Sequence, residues 1–112
     1  MIPVTASTPI MIAIAPVDFR RQMDGLIAHC RQALSAEPMS GTLFVFINRS
    51  KTMIRVLVYE GNGFWLMTKR LSRGAFTGWP KSQQALTPLS ARHLMRLLQA
   101  PGMTALPVQR VV

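Results

Sequence analysis

LFVFINRSKTMIRVLVYEGNGFWLMTKRLSRGAFTGWP, residues 43–80, places three apolar strand-like runs between two turn signals and scatters basic residues among them. Read as antiparallel strands, Leu43–Asn48, Met53–Glu60 and Phe64–Leu71 make a meander. A polar loop joins the first pair. Gly61-Asn62-Gly63, a strong hairpin signal, joins the second.

Side chains alternate along a strand, so the meander has two faces. One carries Phe44, Phe46, Ile54, Val56, Val58, Trp65 and Met67, and is the expected core side on which helices pack. The other carries Leu43, Val45, Ile47, Arg55, Leu57, Tyr59, Leu66, Thr68 and Arg70, with Arg49 and Lys51 at the loop and Lys69 and Arg73 nearby. It is amphipathic and basic. With Asn62-Gly63 at the centre of the turn, Arg55 falls opposite Arg70, a like-charge pair that a bound phosphate would relieve. Long arginine stems that cover an apolar face and hold their heads in water account for the same pattern.

Composition points the same way. The 112 residues are 49% hydrophobic, enough for one domain with its own core, and 13 Lys plus Arg against 4 acidic residues give a formal charge of +9. Such a surface suits a polyanion or an acidic protein partner. The single cysteine, Cys30, excludes an internal disulfide and any cysteine-cluster zinc site, which agrees with a reducing cytoplasm. Ala13-Ile14-Ala15 mimics a cleavage site, but the run before it is short and has no basic region, so it reads as a strand. No apolar run reaches the roughly 18 residues of a membrane span.

Around the meander, residues 1–9 read as a flexible lead-in, 10–100 as a single domain and 101–112 as a tail. The first strand is Ile10–Ala15, ended by Pro16. A helix follows from about Arg20 to Ser35, with Met23, Leu26, Ile27, Cys30 and Leu34 at helical spacing and Asp18 as its N-cap. The last helix starts with Thr87 as N-cap and Pro88 at its first position, and carries Leu89, Leu94, Leu97 and Leu98 on one stripe. The expected class is α+β: a small antiparallel sheet, the three-strand meander plus the N-terminal strand, with two helices on one face.

Catalytic groupings are thin. Asp18, Asp24, Glu37 and Glu60 form no carboxylate cluster for metal-assisted phosphoryl transfer, and His29 and His93 stand alone on expected helices. The glycines of residues 61–63 join two strands and do not open a helix, so they are no phosphate loop. No catalytic residue, metal site or cofactor is expected.

Asp18-Phe19-Arg20-Arg21-Gln22-Met23-Asp24-Gly25-Leu26 resembles the D-M-R-K-G-x-D-G-L signature of the small accessory proteins, often called TnpB, of bacterial insertion sequences of the insertion sequence 66 type. Their transposase is a separate protein, TnpC. The resemblance continues through Ser40–Phe46, Tyr59–Leu66, Lys69-Arg70-Leu71, Arg73-Gly74, Phe76, Trp79-Pro80 and Leu86-Thr87-Pro88, in order, and covers about residues 10 to 100. The chain departs from the pattern at Phe19, at Gln22, and at Val58-Tyr59-Glu60 where the family has W-W-D.

The resemblance implies a non-catalytic role in transposition beside the transposase, and marks Asp18, Arg20, Arg21, Asp24 and Gly25 as the family motif. Read physically, Arg20 and Arg21 in a first helical turn are disfavoured by the helix dipole. Either Asp24 pairs with one of them or they touch a DNA phosphate or an acidic partner. Two partner readings follow. In one, Arg49, Lys51, Arg55, Lys69, Arg70 and Arg73 hold element-end DNA on the open sheet face. In the other, the apolar residues among those cations dock the protein on the transposase. A homo-oligomer is compatible with both.

Overall fold

The computed structural model describes residues 5–99, so most of the lead-in's first half and the expected tail lie outside the described residues. In chain order the elements are β1 (Ile10–Ala13), α1 (Met23–Gln32), a 3-10 turn (Pro38–Ser40), β2 (Leu43–Ile47), β3 (Met53–Glu60), β4 (Gly63–Arg70), β5 (Leu86–Pro88) and α2 (Ala91–Gln99). The strands form one sheet in the order β4-β3-β2-β1-β5.

The α+β class and the meander hold, and the sheet is mixed where an antiparallel one was expected. β1 pairs parallel with β2, while β5 pairs antiparallel with the other side of β1. The cause lies in the connection. A chain that leaves β1 through α1 returns to the end it started from, which makes the next strand parallel.

The helices also lie on opposite faces of the sheet, not on one. Leu26 and Cys30 of α1 pack with Ala13, Phe44, Phe46 and Leu57, whereas Leu94 and Leu97 of α2 pack with Ile12, Val45, Ile54, Val56 and Val58. Every residue of β2 is consequently buried, and its unbroken LFVFI run is what a strand covered on both sides requires. Burial raises the Cys30 thiol to about 11, the behaviour of a small core hydrophobe.

The meander's registers differ from expectation for two local reasons. At the first turn, Ile47 pairs with Ile54, which puts Phe44 and Phe46 on the face of Arg55 and Leu57. Lys51 there adopts φ 61, an uncommon left-handed conformation, and Asn48 Oδ1 accepts from the Thr52 and Met53 amides. At the second turn, Glu60 pairs with Gly63, so Gly61 and Asn62 are the central residues, with Gly61 at φ 67 in the slot that a type II′ turn reserves for glycine. The pairing moves by two residues. Arg55 therefore faces Thr68, and Arg70 faces Met53.

Three further expectations change. Trp65 is 47% exposed on the edge strand β4 instead of being core, and its indole N–H donates to Glu60 at 2.9 Å. Thr87 and Pro88 belong to β5, and the cap of α2 is Ser90, whose Oγ accepts from the His93 amide at 3.0 Å. Helix α1 starts at Met23, after Gln22, so Asp18 is not its cap and Arg20 and Arg21 precede it.

Candidate nucleic-acid interface

One end of the sheet gathers the motif turn, the β2–β3 loop and the chain leaving β4. The Leu71 amide donates to the Thr52 carbonyl at 3.0 Å and the Phe76 amide to the Lys51 carbonyl at 2.8 Å, so residues 70–76 run along the loop. Asn48 organises the loop. Beyond its two backbone bonds, its Nδ2 donates to Thr52 Oγ1 at 3.1 Å. This role was not anticipated, although an asparagine directly before a polar loop is a recognised turn signal.

Asp18 builds the neighbouring turn. Its carboxylate accepts the Arg20 amide at 2.9 Å, and the Arg20 guanidinium folds back on it with Nη2 at 2.7 Å. The ion pair is thus Arg20 with Asp18, not Asp24 with either arginine. The Arg20 hydrogen bonds, reinforced by the charges of Arg20 and Arg49, lower the Asp18 carboxyl to about 2. Arg21 turns the other way, its Nη1 3.2 Å from His29 Nδ1. Gly25 has a steric reason: a Cβ there would lie 3.0 Å from Arg21 Cβ, because the turn folds over the start of α1.

Arg55 holds that turn to the sheet. Its Nη1 donates to the carbonyls of Phe19 at 3.0 Å and Arg21 at 2.9 Å, its Nε donates to Thr68 Oγ1 at 3.1 Å, and its guanidinium lies 4.6 Å over the Phe19 ring. Lys69 is also engaged internally. Its Nζ donates to the Leu98 carbonyl at 2.9 Å, where a cation suits the C-terminal end of α2. Of the six basic residues marked from the sequence, these two make internal contacts.

The other four converge. Arg49 and Lys51 sit in the loop, Arg70 ends β4 beside Met53, and Arg73 follows in the segment packed along the loop. Among the described residues none of the four side chains makes a hydrogen bond or ion pair. Exposed Arg20 and, of these four, Arg49 share an open cleft of about 760 Å³ lined by Val17, Asp18, Phe19, Arg20, Asn48, Arg49, Ser50 and Met53.

Of the four acidic residues, Asp24 lies in the first turn of α1. Asp18 is the one carboxylate lining the cleft, and Arg20 already occupies it. Glu37 is paired with Arg31, and Glu60 stands at the opposite end of β3, roughly 23 Å away at strand spacing. Among the described residues no group of His, Cys, Asp or Glu is placed to hold a metal ion, and no helix is long and apolar enough to cross a membrane.

A family model described as IS66 Orf2 like protein matches residues 8–106. Two proteins of Sinorhizobium fredii (strain NBRC 101917 / NGR234) are similar to the chain. Uncharacterized protein y4jC is 43% identical over 77 residues, which cover 69% of this chain and 66% of that protein. Uncharacterized protein y4hO is 34% identical over 98 residues, covering 88% of this chain and 84% of that protein. No solved structure matches.

Proposed function

This chain belongs to the IS66 Orf2-like family, accessory proteins of a bacterial insertion sequence, and we propose that it holds element DNA by its phosphates at the cationic end of the sheet. The observation that supports this reading is the convergence of Arg49, Lys51, Arg70 and Arg73, with no unpaired carboxylate lining the adjoining cleft. Four cations whose side chains have no partner among the described residues, held on a loop and at a strand end, attract a polyanion and release its counterions. They read charge, not base sequence. The protein neither cleaves nor joins DNA in this role, with Mg²⁺ or Mn²⁺ present, and leaves the chemistry to the transposase.

A second reading rests on the cleft's other wall. Val17, Phe19 and Met53 are apolar, and a phosphate has no use for them, whereas an acidic and apolar segment of the transposase would contact both sides. Titration of labelled element-end duplex at several salt concentrations, with and without transposase, separates the two. For the DNA reading, Arg49→Ala with Arg70→Ala shallows the log–log salt slope by up to about 1.8, equally for element-end and random sequence. If the double variant binds DNA normally at every salt concentration but no longer retains the transposase, the docking reading replaces it.

A further inference from the structure

The β2–β3 loop separates two clefts, and the second has a different chemistry from the first. It opens on the α2 side of the sheet, holds about 470 Å³, and is lined by Ile14, Lys51, Phe76, Thr77, Gly78, Trp79, Pro80 and Lys81. That volume lies inside the range of roughly 300–1,000 Å³ common to small-molecule sites. No carboxylate lines it.

Its aromatic wall is fixed in place. The Trp79 indole N–H donates to the Ala13 carbonyl at 3.2 Å, which satisfies the ring's one donor and leaves its π surface as what it offers a ligand. Phe76, 2% exposed, is anchored by its N–H, which donates a hydrogen bond to the Lys51 carbonyl. The cations are set by the same contacts. Lys51 is held at φ 61 by that bond and by its own amide donating to the Asn48 carbonyl at 3.1 Å, a conformation that costs a non-glycine residue energy and that fixes the residue at the edge of this cleft. Lys81 lines the same cleft, and neither lysine's ammonium group has a hydrogen-bond or ion-pair partner among the described residues.

A pinned aromatic ring, an apolar floor and two cations without a carboxylate suit a flat, aromatic, anionic ligand. We infer that this cleft binds an unpaired nucleotide, its base stacked on Trp79 and its flanking phosphates on Lys51 and Lys81. A base inside a duplex is already stacked on its neighbours and offers no free face, so the ligand is single-stranded. Arg49 and Ser50 line the first cleft and Lys51 the second, so one loop contacts both sites and a strand parting from a held duplex crosses it directly. The inference deepens the DNA reading above, and rests on it for the identity of the polyanion.

Trp65→Phe leaves Trp79 as the sole tryptophan of the two in the chain, and its emission reports the site directly. The full-length variant is titrated with single-stranded oligothymidylate, with an abasic phosphodiester chain of equal length, with thymidine monophosphate, and with element-end duplex. The expected result is saturable quenching of Trp79 by oligothymidylate, and binding of the abasic chain weaker by roughly 5- to 150-fold without quenching. Lys81→Ala, an exposed change that spares the aromatic wall, shallows the single-strand salt slope by about 0.7. Equal affinity for the abasic chain, or unchanged Trp79 emission at saturating oligothymidylate, overturns the inference. Saturation by the mononucleotide as strong as by the strand overturns it in favour of a free-nucleotide site. If duplex binding still depends on Arg49 and Arg70 while Trp79 is silent, this inference fails and the proposed function stands; quenching by the strand with duplex binding indifferent to those arginines means the reverse.

Discussion

At the scale of single residues, two side chains exchanged the roles that alternation gave them. Arg55 is on the face of β3 that α1 and the motif turn cover, and its guanidinium meets two backbone carbonyls and a phenyl ring of that turn. Arg55→Ala removes the clamp between turn and sheet, and the expected loss of stability is on the order of 2 kcal/mol, the scale of hydrogen bonds to a charged group. Arg55→Lys recovers little of it, since an ammonium cannot present two N–H groups in one plane. Urea unfolding measures both, and a loss under about 0.5 kcal/mol for Arg55→Ala would show that the clamp carries no weight. Trp65→Ala, by contrast, costs under about 1 kcal/mol, as expected of a half-exposed side chain on an edge strand. Spacing reveals which side of a strand a residue occupies. It is silent on whether another segment comes down on that side, which is why Arg55 looked available for phosphate and Trp65 looked buried.

At the scale of elements, the pieces were legible and their partners were less so. The three strands of the meander and both helices follow from periodicity, turn residues and prolines, all of which act within a few positions. The order β4-β3-β2-β1-β5 depends on contacts between Ile10–Ala13, Leu43–Ile47 and Leu86–Pro88, far apart in sequence, and no local signal encodes those. One clue was present all the same. LFVFI is apolar at every position, and a strand with an open face would alternate. The start of α2 shows a local rule outcompeted: Thr87-Pro88 is a sound helix opening, but the Leu89 amide donates to the Ile10 carbonyl at 2.9 Å and the pair is drawn into the sheet, leaving Ser90 to cap. Ser90→Ala is therefore expected to cost about 1 kcal/mol. Thermal or urea unfolding of the variant tests this, and a silent Ser90→Ala would return the cap to Thr87.

At the scale of the whole molecule, the +9 charge includes four cations, Arg49, Lys51, Arg70 and Arg73, gathered at one end of the sheet. Asp18 and Glu37 are engaged by Arg20 and Arg31, Asp24 lies in the first turn of α1 and Glu60 at the far turn, so none of the four carboxylates is paired with Arg49, Lys51, Arg70 or Arg73. Such a cluster weakens the folded state at low ionic strength, and simple salt relieves it by screening over about 10 Å at 0.1 M. A multivalent anion that binds between the cations does more, because ligand that binds only the folded chain stabilises by RT ln(1 + [L]/Kd). The melting temperature in dilute buffer is thus expected to rise with sodium chloride, and to rise further when millimolar inorganic phosphate replaces chloride at equal ionic strength. The variant carrying Arg49→Ala and Arg70→Ala should keep a smaller chloride response and lose the phosphate increment, since the general repulsion is reduced while the site is removed. Should the increment survive in that variant, the anion binds elsewhere, and the cationic end of the sheet is a surface that merely tolerates its charge.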